Sequence, residues 1–333
     1  MRLSLLSLCV LVVSAAALSP SLNAASRNAP ASYKSAIVMD ADTGKILFQD
    51  NADEVSPPAS MTKLMTFAVA YDRIKSGNLK LDTPLTVTRA DERVGAVRHS
   101  TSVWLRVGET FTVEELFYAM MIQSANDSAY MMARCSAGSV PLFISWMNAK
   151  ARALGMNHTT FQTPNGFPVA SHRISEGDLT TARDFAILAR YLITQTDILK
   201  YTSVKQRAFG AGKRFPPVMM TNHNHLLGHI DGVDGLKTGF TDGAGFCLTA
   251  TAKRGNRRII AVMMDSPDSR SRDLKIAQLI ERGFSTQPLV VPAIGAQVAP
   301  AQPVRPNSLP KGAQPPQPAS KATEGPSIRF TVP

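Results

Sequence analysis

Apolar and polar positions divide this chain into stretches of distinct period. Ala36-Ile37-Val38-Met39 and Ile46-Leu47-Phe48 flank the turn residues Asp42-Thr43-Gly44, which predicts a hairpin over Ser35 to Asn51. After Pro57-Pro58, apolar residues at Met61, Leu64, Met65, Ala68 and Tyr71 recur at helical spacing, and Phe67, Val69 and Ile74 add apolar surface on other sides. That pattern predicts a central, buried helix from about Ser60 to Lys75. Thr112 and Glu115 have the spacing of a capping box and introduce a second helix with Leu116 to Ile122 as its apolar body, interrupted at Gln123 to Asp127. Helix resumes near Ala129 and again from Phe143 to Leu154, stopping at Gly155. Thr181 and Asp184 cap a further helix through Ile193. From Gly235 the pattern turns to strands: Phe246 to Ala252 and Arg258 to Met264 are joined by the turn Lys253-Arg254-Gly255-Asn256. A last amphipathic helix, Arg272 to Arg282, ends at Gly283. Strands at both ends with helices between predict one α/β unit. Its antiparallel sheet is closed by the first and last segments and flanked by helices, with an all-helical subdomain from the middle of the chain.

Composition sets the limits of that unit. Arg2 precedes an uncharged run, Leu3 to Leu18, and small residues follow to Ala24, which predicts a secretory signal peptide over residues 1–24. The run is too short for a mature membrane span. Cys9 follows Leu8 rather than a small residue, so no lipoprotein anchor is read; an uncleaved N-terminal anchor is the alternative. Beyond Gln287 the chain is rich in Pro, Ala and Gln, which predicts a disordered tail over residues 287–333 and leaves 32–286 as the globular part. The net charge of +11 comes without a clustered basic block or a nucleic-acid motif. It reads as solubility and attraction to anionic surfaces, and nucleic acid is not expected. After cleavage only Cys135 and Cys247 remain, too few for a disulfide framework, and both are expected as buried thiols.

Three short patterns carry candidate chemistry. Ser60-Met61-Thr62-Lys63 opens a helix, Ser124-Ala125-Asn126 sits in a break between helices, and Lys237-Thr238-Gly239 begins a strand. Each alone is weak: S-x-x-K occurs roughly once in a chain of this length at average usage. Ser308-Leu309-Pro310-Lys311 also fits, but its proline opposes a helix. Ser76-Gly77-Asn78 repeats S-x-N, yet it lies roughly 24 Å along the helix from Ser60. Together and in order the three patterns are specific. Residues three apart on a helix share a face, so Lys63 reaches Ser60. A serine hydroxyl needs a base beside it, and a lysine serves when burial or another cation lowers its pKa. Lys237 is a candidate for that cation.

The sequence resembles the low-molecular-weight penicillin-binding D-alanyl-D-alanine carboxypeptidases from about Ser35 to Phe284. Beyond the three patterns the likeness includes Pro58-Ala59-Ser60-Met61-Thr62-Lys63-Leu64-Met65-Thr66, Gln123 to Ser128, Thr181-Ala182-Arg183-Asp184 and Val233-Asp234-Gly235-Leu236-Lys237-Thr238-Gly239. The resemblance implies a penicillin-binding transpeptidase or serine β-lactamase-like fold and no cofactor or metal. It implies that Ser60 is acylated by a peptidoglycan peptide ending in D-Ala-D-Ala and that Lys63 takes its proton. It implies that Ser124 relays a proton to the leaving D-alanine and that Asn126 holds the peptide amide. Lys237 and Thr238 would bind the terminal carboxylate, Gly239 would let the substrate backbone approach, and the Phe240 N–H would serve as an oxyanion donor. β-Lactams would imitate the substrate. Two features depart from the family pattern: the Pro-rich tail stands where many members carry a second, all-β domain and a membrane-docking helix, and His223 stands near where an Arg is often found.

Rival readings have their own residues. A D,D-endopeptidase cutting crosslinks would share every motif. Glu176 to Thr180 reads E-x-x-L-T, near the deacylating motif of class A β-lactamases but without its Asn. His223, His225 and His229 with Asp231 and Asp234 form the set a zinc peptidase would need, although their spacing matches no common helix-borne site. A wall-binding protein with a decayed site is the non-enzymatic reading, against which Ser60, Lys63, Ser124 and Lys237 all stand intact.

Overall fold

The computed structural model describes residues 33–167 and 173–286. In chain order, β1 (Ser35–Asp40) and β2 (Ile46–Asp50) form the expected hairpin. The helical middle follows with α1 (Lys63–Lys75), β3 (Pro84–Thr86), α2 (Arg89–Gly95), β4 (Thr110–Thr112) and α3 (Val113–Tyr118). It continues with α4 (Asn126–Ala137), α5 (Val140–Leu154), α6 (Ala182–Gln195) and α7 (Ile198–Thr202). A small hairpin of β5 (Gln206–Phe209) and β6 (Val218–Thr221) leads to β7 (Val233–Thr241), β8 (Gly245–Arg254), β9 (Arg257–Ser266) and α8 (Ser269–Ser285). The segments read as a signal peptide (1–24) and a Pro-rich tail (287–333) lie outside the described residues. Among the described residues no helix is long and apolar enough to cross a membrane.

The main sheet is antiparallel, in the order β2-β1-β9-β8-β7, so the first hairpin docks on the last strand as expected. Alternation assigns its two faces. Ile37, Met39, Ile260, Val262 and Met264 pack toward α1 and α6, while Val38, Ile259, Ala261 and Met263 pack under Ile276, Leu279 and Ile280 of α8. A period of two on a sheet covered on both sides explains why β1 is buried along its whole length. On the helical side, Leu64, Met65, Phe67 and Ala68 are wholly buried, and Phe67 meets Phe117 with ring centroids 4.5 Å apart. α1 is therefore the central helix that its apolar faces predicted. β7 ends the sheet, and its Gly239 packs against the turn that carries Ser60.

Lys237-Thr238-Gly239 lies in the middle of β7 rather than at its start, and α4 begins at Asn126 rather than near Ala129. Four further differences stand out. The helix read from Ser60 begins as a 3-10 turn, Ala59–Thr62, and becomes α-helical at Lys63. The body after Thr112 leaves α geometry at Ala119 and finishes as a π-helical turn, Ala119–Gln123. α5 starts at Val140 rather than Phe143, because Ser139 accepts a capping bond from the Leu142 N–H. Finally, α8 runs past Gly283. A Cβ there would lie 2.8 Å from Ile259 Cγ2 and 2.9 Å from Val38 Cγ1, so this glycine brings helix and sheet together instead of ending the helix.

Candidate active site

Ser60 lies in the 3-10 turn, where the Met61 N–H donates to the Pro58 carbonyl (3.2 Å). The turn is strained: Ala59 has φ of +47°, a region that costs a residue with a side chain about 1–2 kcal/mol. Two glycines press on it from opposite elements. A Cβ on Gly166 would stand 1.8 Å from the Ala59 carbonyl oxygen, and one on Gly239 would stand 2.5 Å from that of Pro58. The sequence reading gave Gly239 to substrate approach; its bare backbone is already needed by the turn that carries Ser60.

Lys63, at the start of α1, is wholly buried. Its Nζ lies 2.9 Å from Ser60 Oγ, 2.7 Å from Asn126 Oδ1 and 2.7 Å from the Asn165 carbonyl oxygen. Burial first, then the Lys237 charge, hold this amine well below the usual lysine range, while Asp127 and Asp178 pull it back up. The Asn165 carbonyl can only accept. So can Asn126 Oδ1, whose amide is oriented by Nδ2 donating to Ser100 Oγ (2.9 Å). A neutral amine has two N–H groups and one lone pair. Two obligatory acceptors take the N–H groups, and the lone pair is left facing the Ser60 hydroxyl. Lys237 is thus the pKa-lowering cation that the sequence suggested.

Ser124 closes the π-helical turn with φ of +62° and is 2% exposed. Its carbonyl accepts from Thr101 Oγ1 (2.9 Å), and the Asn126 N–H donates to the Thr101 carbonyl (2.9 Å). The Ser124 hydroxyl makes no hydrogen bond to another described residue. Next to Asn126, the buried Asp127 accepts from the Leu105 N–H (3.1 Å) and the Ser102 hydroxyl, lacing the segment 101–105 to the start of α4. Burial raises the Asp127 carboxyl, and its hydrogen bonds oppose that shift.

Asp178 does the same work across the site. Its carboxylate accepts from Thr62 Oγ1 (2.6 Å), the Gln162 N–H (2.7 Å) and the Thr163 N–H (2.9 Å), tying the loop that carries Asn165 and Gly166 to the Ser60 turn. Glu176, the acid of the β-lactamase reading, is exposed and pairs with Arg173 at 3.1 Å.

On β7, Lys237 is 2% exposed, and its ammonium has one hydrogen bond, to the Thr238 carbonyl (3.0 Å). Burial and then the charge of Arg272 push it down to about 7. Arg272 is itself buried on α8, with Nε 2.8 Å from Asp273 Oδ1. Thr238 is buried, and Phe240 is half exposed, its ring stacked on Phe246 with centroids 4.1 Å apart. His223 is half-buried; burial and then Lys237 push it down to about 4, so it is neutral at pH 7 and supplies no charge in place of an arginine.

The histidine–aspartate set of the zinc reading is not assembled. Asp234 pairs with Arg258 through both carboxylate oxygens (2.7 and 2.8 Å), His225 bonds Asp273 (3.0 Å), and Asp231 faces Arg254 (3.3 Å). Among the described residues no three His, Cys, Asp or Glu side chains are grouped to hold a metal ion. Both cysteines are free; Cys247 is buried as expected, its thiol pushed up to about 12, whereas Cys135 is only half-buried. Sequence reasoning missed Asn165, Gly166, Asp127, Asp178 and Arg272. Asn165-Gly166 after Pro164 had a readable turn signal; a carbonyl acceptor and an arginine from a distant helix had none.

Residues 23–268 match the model of the Peptidase S11, D-alanyl-D-alanine carboxypeptidase, family. The chain is 34% identical over 261 residues to D-alanyl-D-alanine carboxypeptidase DacF of Bacillus subtilis, covering 77% of this chain and 64% of that one. It is 36% identical over 259 residues to DacC of Escherichia coli, covering 77% and 62%. The chain thus spans less than two thirds of the length of these relatives. Penicillin-binding protein D2 of Listeria monocytogenes, solved in its ampicillin-bound form, superposes with a TM-score of 0.66 at 32% identity, over 76% of this chain and 97% of that one. The family match and the antiparallel sheet flanked by helices agree, and the chain belongs to the D-alanyl-D-alanine carboxypeptidase family of peptidases.

Proposed function

We propose that this protein is an exported serine D,D-carboxypeptidase that removes the terminal D-alanine from peptidoglycan stem pentapeptides through an acyl-enzyme on Ser60. The observation that carries this reading is the Lys63 amine, 2.9 Å from Ser60 Oγ with its other two directions given to acceptors. In this reading neutral Lys63 accepts the Ser60 proton as Oγ bonds to the carbonyl carbon of the penultimate D-alanine. The backbone N–H groups of Ser60 and Phe240 stabilise the oxyanion. When the C–N bond breaks, the proton passes from Lys63 through the Ser124 hydroxyl to the leaving amine. Water then hydrolyses the ester and restores Ser60.

The remaining residues sort the substrate. Lys237 and Thr238 receive the terminal carboxylate, Asn126 holds the amide on the acyl side, and Gly239 keeps β7 close to the turn. An ammonium with one protein partner has N–H groups left for an anion, and a bound carboxylate raises its pKa again. β-Lactams acylate the same serine; the ampicillin-bound Listeria relative supports that step. The signal-peptide pattern of residues 1–24 supports export, with 32–286 as the catalytic unit and 287–333 as a linker-like tail. The test is release of free D-alanine from a pentapeptide ending in D-Ala-D-Ala. Cleavage of crosslinked dimers alone would assign the same chemistry to an endopeptidase.

A further inference from the structure

The segment that leads from α2 to β4 carries apolar side chains to the surface. Val103 and Leu105 are buried, while Trp104, Arg106 and Val107 face out. Trp104 is 57% exposed and Val107 49%. Trp104 also has a left-handed φ of +51°, an unfavourable region for a bulky side chain. Its backbone is held there by named partners. The Trp104 N–H donates to Ser102 Oγ (2.8 Å), and the Leu105 N–H donates to Asp127 (3.1 Å). Arg214, from the turn between β5 and β6, donates to the Val103 (2.6 Å) and Trp104 (3.0 Å) carbonyls and to both carboxylate oxygens of Glu109. Phe215, next to that clamp, is wholly exposed. One arginine therefore ties two outward-facing aromatic residues to the same small region.

The charges of this region are unbalanced. Among the acids of residues 84–115, Asp91, Glu109, Glu114 and Glu115 are each paired with a cation. Glu92, which accepts from the Val107 N–H (3.3 Å), has no cationic partner among the described residues. Against it stand Arg89, Arg93, Arg98 and Arg106, all exposed and none in an ion pair with another described residue.

Exposed aromatic rings beside unpaired cations suit an interfacial anchor, in which the rings settle at the headgroup boundary and the arginines meet anionic headgroups. A hydrophilic anionic polymer would engage the arginines but leave Trp104, Val107 and Phe215 without an apolar partner. We infer that segment 101–109 and the tip of the β5–β6 turn form a docking surface for an anionic lipid bilayer. The net charge of +11 draws the protein toward such a surface at longer range. The Thr101 hydroxyl donates to the Ser124 carbonyl, and Asp127 joins the segment to the start of α4, so docking holds the Ser60 site beside the bilayer. Nothing in this surface depends on Ser60 acylation.

Vesicles of phosphatidylglycerol and phosphatidylcholine in equal parts, set against vesicles of phosphatidylcholine alone, test it by co-sedimentation. The protein without its signal peptide is expected to bind the anionic vesicles about 10-fold or more tightly than the neutral ones, with the difference shrinking as salt rises. Trp104→Ser and Phe215→Ser are each expected to weaken that binding about 10-fold, and Arg106→Gln about 5-fold. Brominated acyl chains are expected to quench the fluorescence of Trp104 on binding; Trp104→Phe keeps the binding and loses that quenching. Phe215→Ser has no buried packing to lose, and its thermal melt is expected to match the wild type, which separates lost docking from lost folding. Equal binding to both kinds of vesicle, or an affinity that neither ring-to-serine substitution changes, overturns the docking surface. Binding to purified glycan strands in place of vesicles, weakened by Phe215→Ser, also overturns it and gives the patch to the wall.

Discussion

Two buried lysines face each other across this site and differ in how they are satisfied. Lys63 has three hydrogen-bond partners, whereas Lys237 has one. Both are pushed down by burial, but the second cause differs: Lys63 is pressed by Lys237, and Lys237 by Arg272. The chain of cations runs from α8 through β7 to α1. In the proposed mechanism the lysine whose partners use both N–H groups of its neutral form accepts the serine proton, and the lysine with unused N–H groups beside a further cation receives the anion. The contrast lies in partners rather than residue type, which is why the same side chain serves twice.

Substitutions separate the two roles. Lys63→Met removes the base and is expected to slow acylation roughly 10²–10⁴-fold for every substrate, with or without a terminal carboxylate. A loss confined to carboxylate-bearing substrates would reverse the assignment. Lys237→Met removes one charge-assisted partner and is expected to lower kcat/KM roughly 10–100-fold for a peptide acid. Its effect on the corresponding peptide amide is expected to be small, and equal losses on acid and amide would contradict the anion-receptor role. Gly166→Ala tests the turn both lysines depend on: its Cβ meets the Ala59 carbonyl at a left-handed φ of +74°. We expect about 1–3 kcal/mol of destabilisation and slower acylation, read by thermal melts and benzylpenicillin kinetics.

The smallest effect concerns stability against pH. Lys237 titrates near 7 in the folded chain and near 10.5 in the unfolded one. Between those values the unfolded chain holds a proton that the folded chain has released, so stability rises with pH across that window. Below about 7 the cost of burying this cation is fully present. Lys237→Met is therefore expected to raise Tm by a few degrees at pH 6, with the gain shrinking as pH approaches 10. A gain independent of pH would mean that lost packing, not charge, separates the two proteins.

What the sequence made legible follows from range. Local patterns carried the β1–β2 hairpin, the burial of α1, the caps at Thr112 and Thr181, and the β8–β9 pairing. The three motifs named the residues that the fold gathers: Lys63 bonds Ser60 and Asn126 directly, and the charge of Lys237 reaches Lys63. Contacts between distant segments were not legible. Gly166 and Gly239 matter through the carbonyls of Ala59 and Pro58, and no local pattern records such an approach. Gly283 followed the usual sign of a helix end, but packing against Val38 and Ile259 took precedence over it. The π-helical turn before Ser124 was visible only as an interruption at Gln123. The histidine–aspartate set, whose spacing matched no common helix-borne site, is not assembled, and Arg258 and Arg254 claim its aspartates.

The central claim is that Ser60, activated by Lys63, is the acylated nucleophile. Intact-mass spectrometry of the purified protein with benzylpenicillin, followed by peptide mapping, tests it most directly. The account predicts one covalent adduct on Ser60, absent in Ser60→Ala and formed far more slowly in Lys63→Met. No adduct, or an adduct on another residue that survives Ser60→Ala, would contradict it.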